Sequence, residues 1–224
     1  MAVRHAVDRI GLPKARFTAV LILQFVVLFW LVASEGGRDM RSLLSLASIA
    51  IPLSAIAVAT DRKRELRTAV ALAFAAVAFN GGSLSGFRPF DLEIGPGLSV
   101  VFSAYTTWLL MAGVMRSPRI TGDVLAGALA SFVMAGLAFS VVYGVIEGRL
   151  PGAFVAPGLE PAKFPDLVYF SFVTLLTIGF GDVTPVAPVA RAVVLFEGIF
   201  GVVFTTIVMA SLVAGYLRHR EGGG

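Results

Sequence analysis

Apolar stretches of about 18 to 24 residues recur along this chain between short clusters of charge, and that is the length a helix needs to cross roughly 30 Å of hydrocarbon. Composition agrees with a membrane setting. With 57% hydrophobic and 14% charged residues and a mean hydropathy of +0.88, the chain has too little polar surface to coat a water-soluble globule. An all-α membrane protein is therefore expected, because a helix satisfies its own backbone groups inside lipid.

Six spanning segments are read from the pattern. The first, Phe17 to Ser34, follows the basic leader Arg4, Arg9, Lys14 and Arg16. Its apolar part exceeds the signal-peptide core of about 7 to 15 residues, so it is read as a retained span. Segment two covers Ser42 to Thr60, with Pro52 as a kink, and the link Glu35 to Arg41 makes the first two an antiparallel hairpin. Segment three begins at Thr68 and stays uncharged through Phe87, with Asn80-Gly81-Gly82 expected to end it early. Segments four and five run from Leu98 to Met115 and from Val124 to Ile146.

Between Glu147 and Asp166 the prolines Pro151, Pro157, Pro161 and Pro165 predict irregular backbone. An apolar run from Leu167 to Leu176 follows, too short to span and therefore read as a re-entrant helix. The sixth segment, Ala192 to Leu217, leaves Arg218 to Gly224 as a tail, so no ligand-binding domain is expected beyond it.

Basic residues collect in cytoplasmic loops, which tests the topology. With the N-terminus inside, the inner side holds Arg4, Arg9, Lys14, Arg16, Arg62, Lys63, Arg64, Arg67, Arg116, Arg119, Arg218 and Arg220. The outer side holds only Arg38, Arg41, Arg88, Arg149, Lys163 and Arg191. This bias puts both termini in the cytoplasm. The net charge of +4 and pI near 9.8 are thus explained by topology and not by nucleic-acid binding, since the basic residues flank membrane segments and form no stripe with aromatics. Zero cysteines exclude disulfides and thiolate chemistry, and His5 and His219 near opposite termini make a histidine metal centre an unsuitable reading. An intramembrane enzyme needs a nucleophile with a base or clustered ligands, and neither is visible. A secondary transporter needs paired broken helices in related halves, whereas this chain has one re-entrant element and no internal repeat.

The chemistry lies in Thr177-Ile178-Gly179-Phe180-Gly181. Non-helical backbone at membrane depth is tolerated only where it is buried in protein or lines a water-filled path. Glycines accept positive φ, so successive carbonyls can turn to one side instead of alternating. Four such strands around an axis form stacked rings of oxygens that replace the hydration shell of a cation.

The run Tyr169-Phe170-Ser171-Phe172-Val173-Thr174-Leu175-Leu176-Thr177-Ile178-Gly179-Phe180-Gly181-Asp182 resembles the pore helix and selectivity filter of potassium channels. Arg191 and Gly201 resemble the outer arginine and hinge glycine of that family's inner helix, and the likeness extends from about Val124 to Arg220. Pro151-Gly152-Ala153-Phe154 and Leu195-Phe196-Glu197-Gly198 look most like small prokaryotic six-segment members. The resemblance implies six transmembrane helices, a re-entrant pore helix and filter between helices 5 and 6, and a homotetramer in the plasma membrane. It implies potassium as the permeant ion, no organic cofactor and no soluble partner beyond membrane lipids. Residues 1–16 are then a cytoplasmic leader, 17–123 a four-helix voltage-sensor-like domain, 124–217 the pore domain and 218–224 a cytoplasmic tail.

Roles follow as expectations. Carbonyls of Thr177, Ile178, Gly179 and Phe180, with the Thr177 hydroxyl, coordinate potassium, and Gly181 shapes the outer mouth. Asp182 and Tyr169 brace the filter. Isoleucine at 178 and phenylalanine at 180 depart from the family's valine and tyrosine, and the missing hydroxyl bears on filter stability. Val202, Thr205, Met209, Val213 and Leu217 recur at helical spacing and are assigned to the inner cavity and gate. The alternative is that this stripe packs against segment five. Gly198 and Gly201 are read as hinges, or as close-packing positions. Glu197 is the only acid well inside a span, which marks function or pairing. One reading bonds it behind the pore helix, and a sharper one makes its protonation gate the filter. Segment four carries no arginine or lysine between Leu98 and Met115, so steep voltage dependence is not expected: about 2.3 kcal/mol per charge per 100 mV needs a charge to act on.

Overall fold

A computed structural model describes residues 16–33, 67–68, 70–71, 74, 94–117, 121–158, 160–210 and 213–215. Its elements are α1 (Arg16–Ala33), α2 (Ile94–Met115), α3 (Gly122–Arg149), β1 (Phe154–Val155), α4 (Phe164–Leu175), β2 (Thr184–Pro185), α5 (Pro188–Val203) and a π-helical stretch, Phe204–Met209. Among the described residues three helices are long and apolar enough to cross a membrane, at Gly97–Met115, Gly122–Arg149 and Pro188–Thr206. The chain is a mostly helical membrane protein. The expected second segment lies outside the described residues, as does nearly all of the third.

Helix α3 is the hub, touching α1, α2, α4 and α5. Its start is set by Thr121, whose side chain accepts from the Val124 N–H, with Asp123 in the first turn and Arg149 in the last, each matching the helix dipole. Small residues let neighbours close on it. A Cβ at Gly127 would sit 2.8 Å from side-chain atoms of both Phe17 in α1 and Val114 in α2. Asp123 also takes hydrogen bonds of 2.9 Å from the Thr18 N–H and hydroxyl. The first turns of α1 and α3 and the last turn of α2 therefore share one end of the bundle.

At the opposite end, the proline-rich stretch is more ordered than its composition predicts. The Glu147 carboxylate accepts from the N–H groups of Gly152 at 2.6 Å and Phe154 at 2.8 Å, closing the turn after α3. Strand β1 then pairs antiparallel with β2, Phe154 opposite Pro185 and Val155 opposite Thr184. Beneath the ladder, Tyr143, Phe154 and Phe170 form an aromatic triangle with ring centroids 4.8, 5.6 and 5.7 Å apart. Leu167, Val183 and Ala190 complete that buried cluster.

The sixth segment is not a uniform α-helix. It begins at Pro188, earlier than expected, and changes to π geometry at Phe204. The Thr205 hydroxyl donates to the Gly201 carbonyl at 2.9 Å and the Val202 carbonyl at 3.2 Å, occupying acceptors of the preceding turn, which favours the wider winding.

Candidate functional site

Helix α4 has 12 residues, about 18 Å at 1.5 Å per residue, and cannot cross a bilayer. Pro165 sits in its first turn, and Asp166 reaches back to the Lys163 N–H at 2.8 Å. Leu167, Val168, Phe170, Ser171, Val173 and Leu175 are buried, so α4 is held from several sides. Its last turn closes through Thr177 N–H to Thr174 carbonyl at 3.0 Å and Ile178 N–H to Val173 carbonyl at 2.9 Å. From there the chain leaves helical geometry.

Positive φ recurs at every second residue: Thr177 at 57°, Gly179 at 64° and Gly181 at 76°. Alternation of hand permits consecutive carbonyls to turn toward a common side. Thr177 is a β-branched residue in left-handed backbone, a conformation that costs about 1–3 kcal/mol and is kept only where surroundings impose it. Its hydroxyl donates to the Leu176 carbonyl at 2.7 Å. Residues 176–182 are all exposed in the single chain, Phe180 at 68%.

Tyr169 and Asp182, both expected as filter braces, are brought together. Hydrogen bonding to Asp182 raises the Tyr169 phenol above its ordinary range. Asp182 also accepts from the Val183 N–H at 3.0 Å. Arg191 turns its Nε to the Pro185 carbonyl at 3.1 Å, joining α5 to the segment after the filter.

Glu197 lies fully buried behind α4. The Tyr143 hydroxyl donates to its Oε2, and Ser171 Oγ is 2.5 Å from its Oε1. Sequence reasoning singled out Glu197 without these partners. The available signal was the hydroxyls within apolar segments, since a buried acid needs donors.

The glycines of α5 separate. Gly201 is buried, and a Cβ there would meet the Leu175 carbonyl oxygen at 2.6 Å, so the inner helix presses on the last turn of α4. A Cβ at Gly198 meets nothing within 4 Å. Along the expected cavity stripe, Val202, Thr205 and Val213 are exposed in the single chain. Met209 ends the π-helical stretch, and Leu217 lies outside the described residues.

A short helix ending in backbone of alternating hand is set between two spanning helices, and residues 130–216, which include it, match the family described as Ion channel. Curated relatives are similar over part of the chain. Two pore potassium channel c of Oryza sativa subsp. japonica is 33% identical over 90 residues, 40% of this chain and 19% of that protein. Protein LctB of Geobacillus stearothermophilus is 26% identical over 121 residues, 52% of this chain and 90% of the relative. Inward rectifier potassium channel Kirbac3.1 of Paramagnetospirillum magnetotacticum is 28% identical over 94 residues, 42% of this chain and 28% of that protein. Two of these relatives are potassium channels by name, so part of this chain is similar to potassium channels. The chain spans about a fifth of the rice relative and little over a quarter of the Kirbac relative. No solved structure matches it.

Proposed function

We propose that four copies of this chain surround a common axis and conduct potassium passively. The observation that carries the reading is the alternation of backbone hand at Thr177, Gly179 and Gly181 directly after a helix too short to span. One strand supplies a quarter of each oxygen ring, and the exposed filter in a single chain is what a subunit awaiting its neighbours presents.

Carbonyls of Thr177, Ile178, Gly179 and Phe180, with the Thr177 hydroxyl, take the place of water around the ion, while Gly181 opens the outer mouth. Helix α4 directs the negative end of its dipole at the cavity below. Val202, Thr205, Met209, Val213 and Leu217 line that cavity and its cytoplasmic constriction. Gly198 is the freer hinge, and Gly201 sets the approach of α5 to α4. Six spans in the plasma membrane leave both termini in the cytoplasm, in keeping with α1 and α3 starting at one end of the bundle. The first four segments form the peripheral domain of residues 17–123. Without basic residues in α2 the conductance is not steeply voltage-dependent.

Purified protein in liposomes tests this: potassium flux blocked by barium, with a reversal potential in mixed sodium and potassium near that of potassium. A reversal potential at the mixed-cation value makes the pore non-selective. A particle without fourfold symmetry defeats the assembly.

A further inference from the structure

Three oxygen–oxygen contacts meet around Glu197. The Tyr143 hydroxyl touches Oε2, Ser171 Oγ lies 2.5 Å from Oε1, and the same Oγ lies 2.8 Å from the Gly136 carbonyl oxygen. At these separations each contact calls for a hydrogen of its own, because bare oxygens so close repel; the shared Thr205 hydrogen, by contrast, serves carbonyls at 2.9 and 3.2 Å. Tyr143 and Ser171 carry one hydrogen each, and the Gly136 carbonyl carries none. The third must sit on Glu197. Only then does every contact close, with Tyr143 donating to Glu197, Glu197 to Ser171, and Ser171 to Gly136.

We propose that Glu197, as the neutral carboxylic acid, is a positioning residue for the filter: its proton completes a hydrogen-bonded chain from α3 through α5 and α4 back to α3, and its removal lowers ion flux. The proposal rests on the reading above that residues 177–181 conduct.

The chain runs where it can hold the filter. Ser171 lies on α4 six residues before Thr177, and Gly136 and Tyr143 are two turns apart on α3, so α4 is pinned to both spanning helices. Loss of the proton leaves Ser171 one hydrogen for two acceptors. If it turns to the carboxylate, α4 keeps its bond to α5 but a bare oxygen faces Gly136, and the link from α4 to α3 is lost.

No charged side chain among the described residues takes over. From α3 the titratable group facing Glu197 is Tyr143, and from α4 the facing group is Ser171, which does not titrate. Glu147 is occupied by the Gly152 and Phe154 amides, Asp166 by the Lys163 amide, Tyr169 by Asp182 and Arg191 by the Pro185 carbonyl. Strand β2 and the π-helical stretch contain no titratable residue.

Infrared difference spectra between the wild type and Glu197→Gln in lipid, followed from neutral to alkaline pH, read the proton directly. A protonated-carboxyl C=O band is expected at neutral pH, disappearing at alkaline pH and absent from the variant. In liposomes, wild-type flux is expected to fall several-fold as that band disappears. Glu197→Gln, whose amide offers an N–H to Ser171 and a carbonyl to Tyr143, is expected to hold its own neutral-pH flux across that range. Ser171→Ala, which breaks the chain on α4, lowers flux at neutral pH and blunts the pH response. The absence of the band at neutral pH, or equal pH responses in wild type and Ser171→Ala, overturns the proposal. A wild type with no flux at any pH defeats the channel reading instead, and the band still reports where the proton sits.

Discussion

Substituting Gly201 and Gly198 in turn separates packing from hinge behaviour within one helix. In Gly201→Ala the new Cβ would lie 2.6 Å from the Leu175 carbonyl oxygen and 3.2 Å from the carbon of that carbonyl. An ordinary carbon–oxygen contact is about 3.3–3.6 Å, so α5 and the end of α4 must separate by about 0.7–1 Å. The obstacle is backbone, which has no rotamer to yield. Such overpacking costs about 1–3 kcal/mol per subunit. Replacing a helical glycine by alanine gains about 1 kcal/mol in propensity. Gly198→Ala has the same gain and, with nothing within 4 Å, no clash in the subunit. The propensity gain cancels between the two variants, leaving a difference of about 1–3 kcal/mol from the contact alone, or about 5- to 150-fold in an equilibrium constant. Denaturant titration of the detergent-solubilised proteins measures stability, and liposome flux shows whether the displacement at Leu175 reaches Thr177. Equal stability of the two variants, or a larger loss at Gly198, refutes the packing argument and returns both glycines to a hinge role.

Alanine at Gly179 or Gly181 meets nothing within the subunit, so its cost there is backbone strain, about 1–2 kcal/mol at φ of 64° or 76°. The reversal potential should move toward the mixed-cation value, and an unchanged one removes the assignment of these carbonyls. The Tyr169 phenol is raised in the folded chain by its bond to Asp182, so that contact's stabilisation is present below the unfolded phenol value of about 10 and lost as pH climbs through the raised folded value. Asp182→Asn should return the phenol toward its ordinary titration, read as the ultraviolet difference from Tyr169→Phe; identical titrations would show no such bond. Glu147→Ala leaves the Gly152 and Phe154 amides without their carboxylate, a loss of about 1.5–3 kcal/mol for each charged bond before water compensates. Amide exchange at those two residues should accelerate, and unaltered protection would mean the turn is held by other contacts.

How much was legible beforehand depended on the range of the interaction concerned. The apolar runs placed α3 at Val124 to Ile146 and α4 at Leu167 to Leu176 from local signals alone; the structure starts them earlier, at Gly122 and Phe164, where Thr121 caps α3 and Pro165, expected in irregular backbone, sits in the first turn of α4. The alternating hand at Thr177, Gly179 and Gly181 was legible for the same reason, because main-chain direction there is governed by neighbouring glycines and not by remote side chains. By contrast, β1 was read as irregular because a two-residue strand among prolines has no period of its own and exists only where β2 arrives to pair with it. The π-helical stretch was missed as well. Its apolar sequence has ordinary helical spacing, and only the Thr205 hydroxyl on the preceding carbonyls distinguishes it.

Length and polarity of successive segments determined that this protein lives in a membrane, and the local pattern Thr177 to Gly181 determined where its backbone alternates in hand. Tertiary structure decided what stands behind that pattern. Glu197 meets Tyr143 and Ser171 from positions 54 and 26 residues away, and Gly201 meets the backbone of Leu175 across another helix. Spacing along a chain states which face of a helix a residue occupies; which hydroxyl or carbonyl will oppose it is set only when the helices pack.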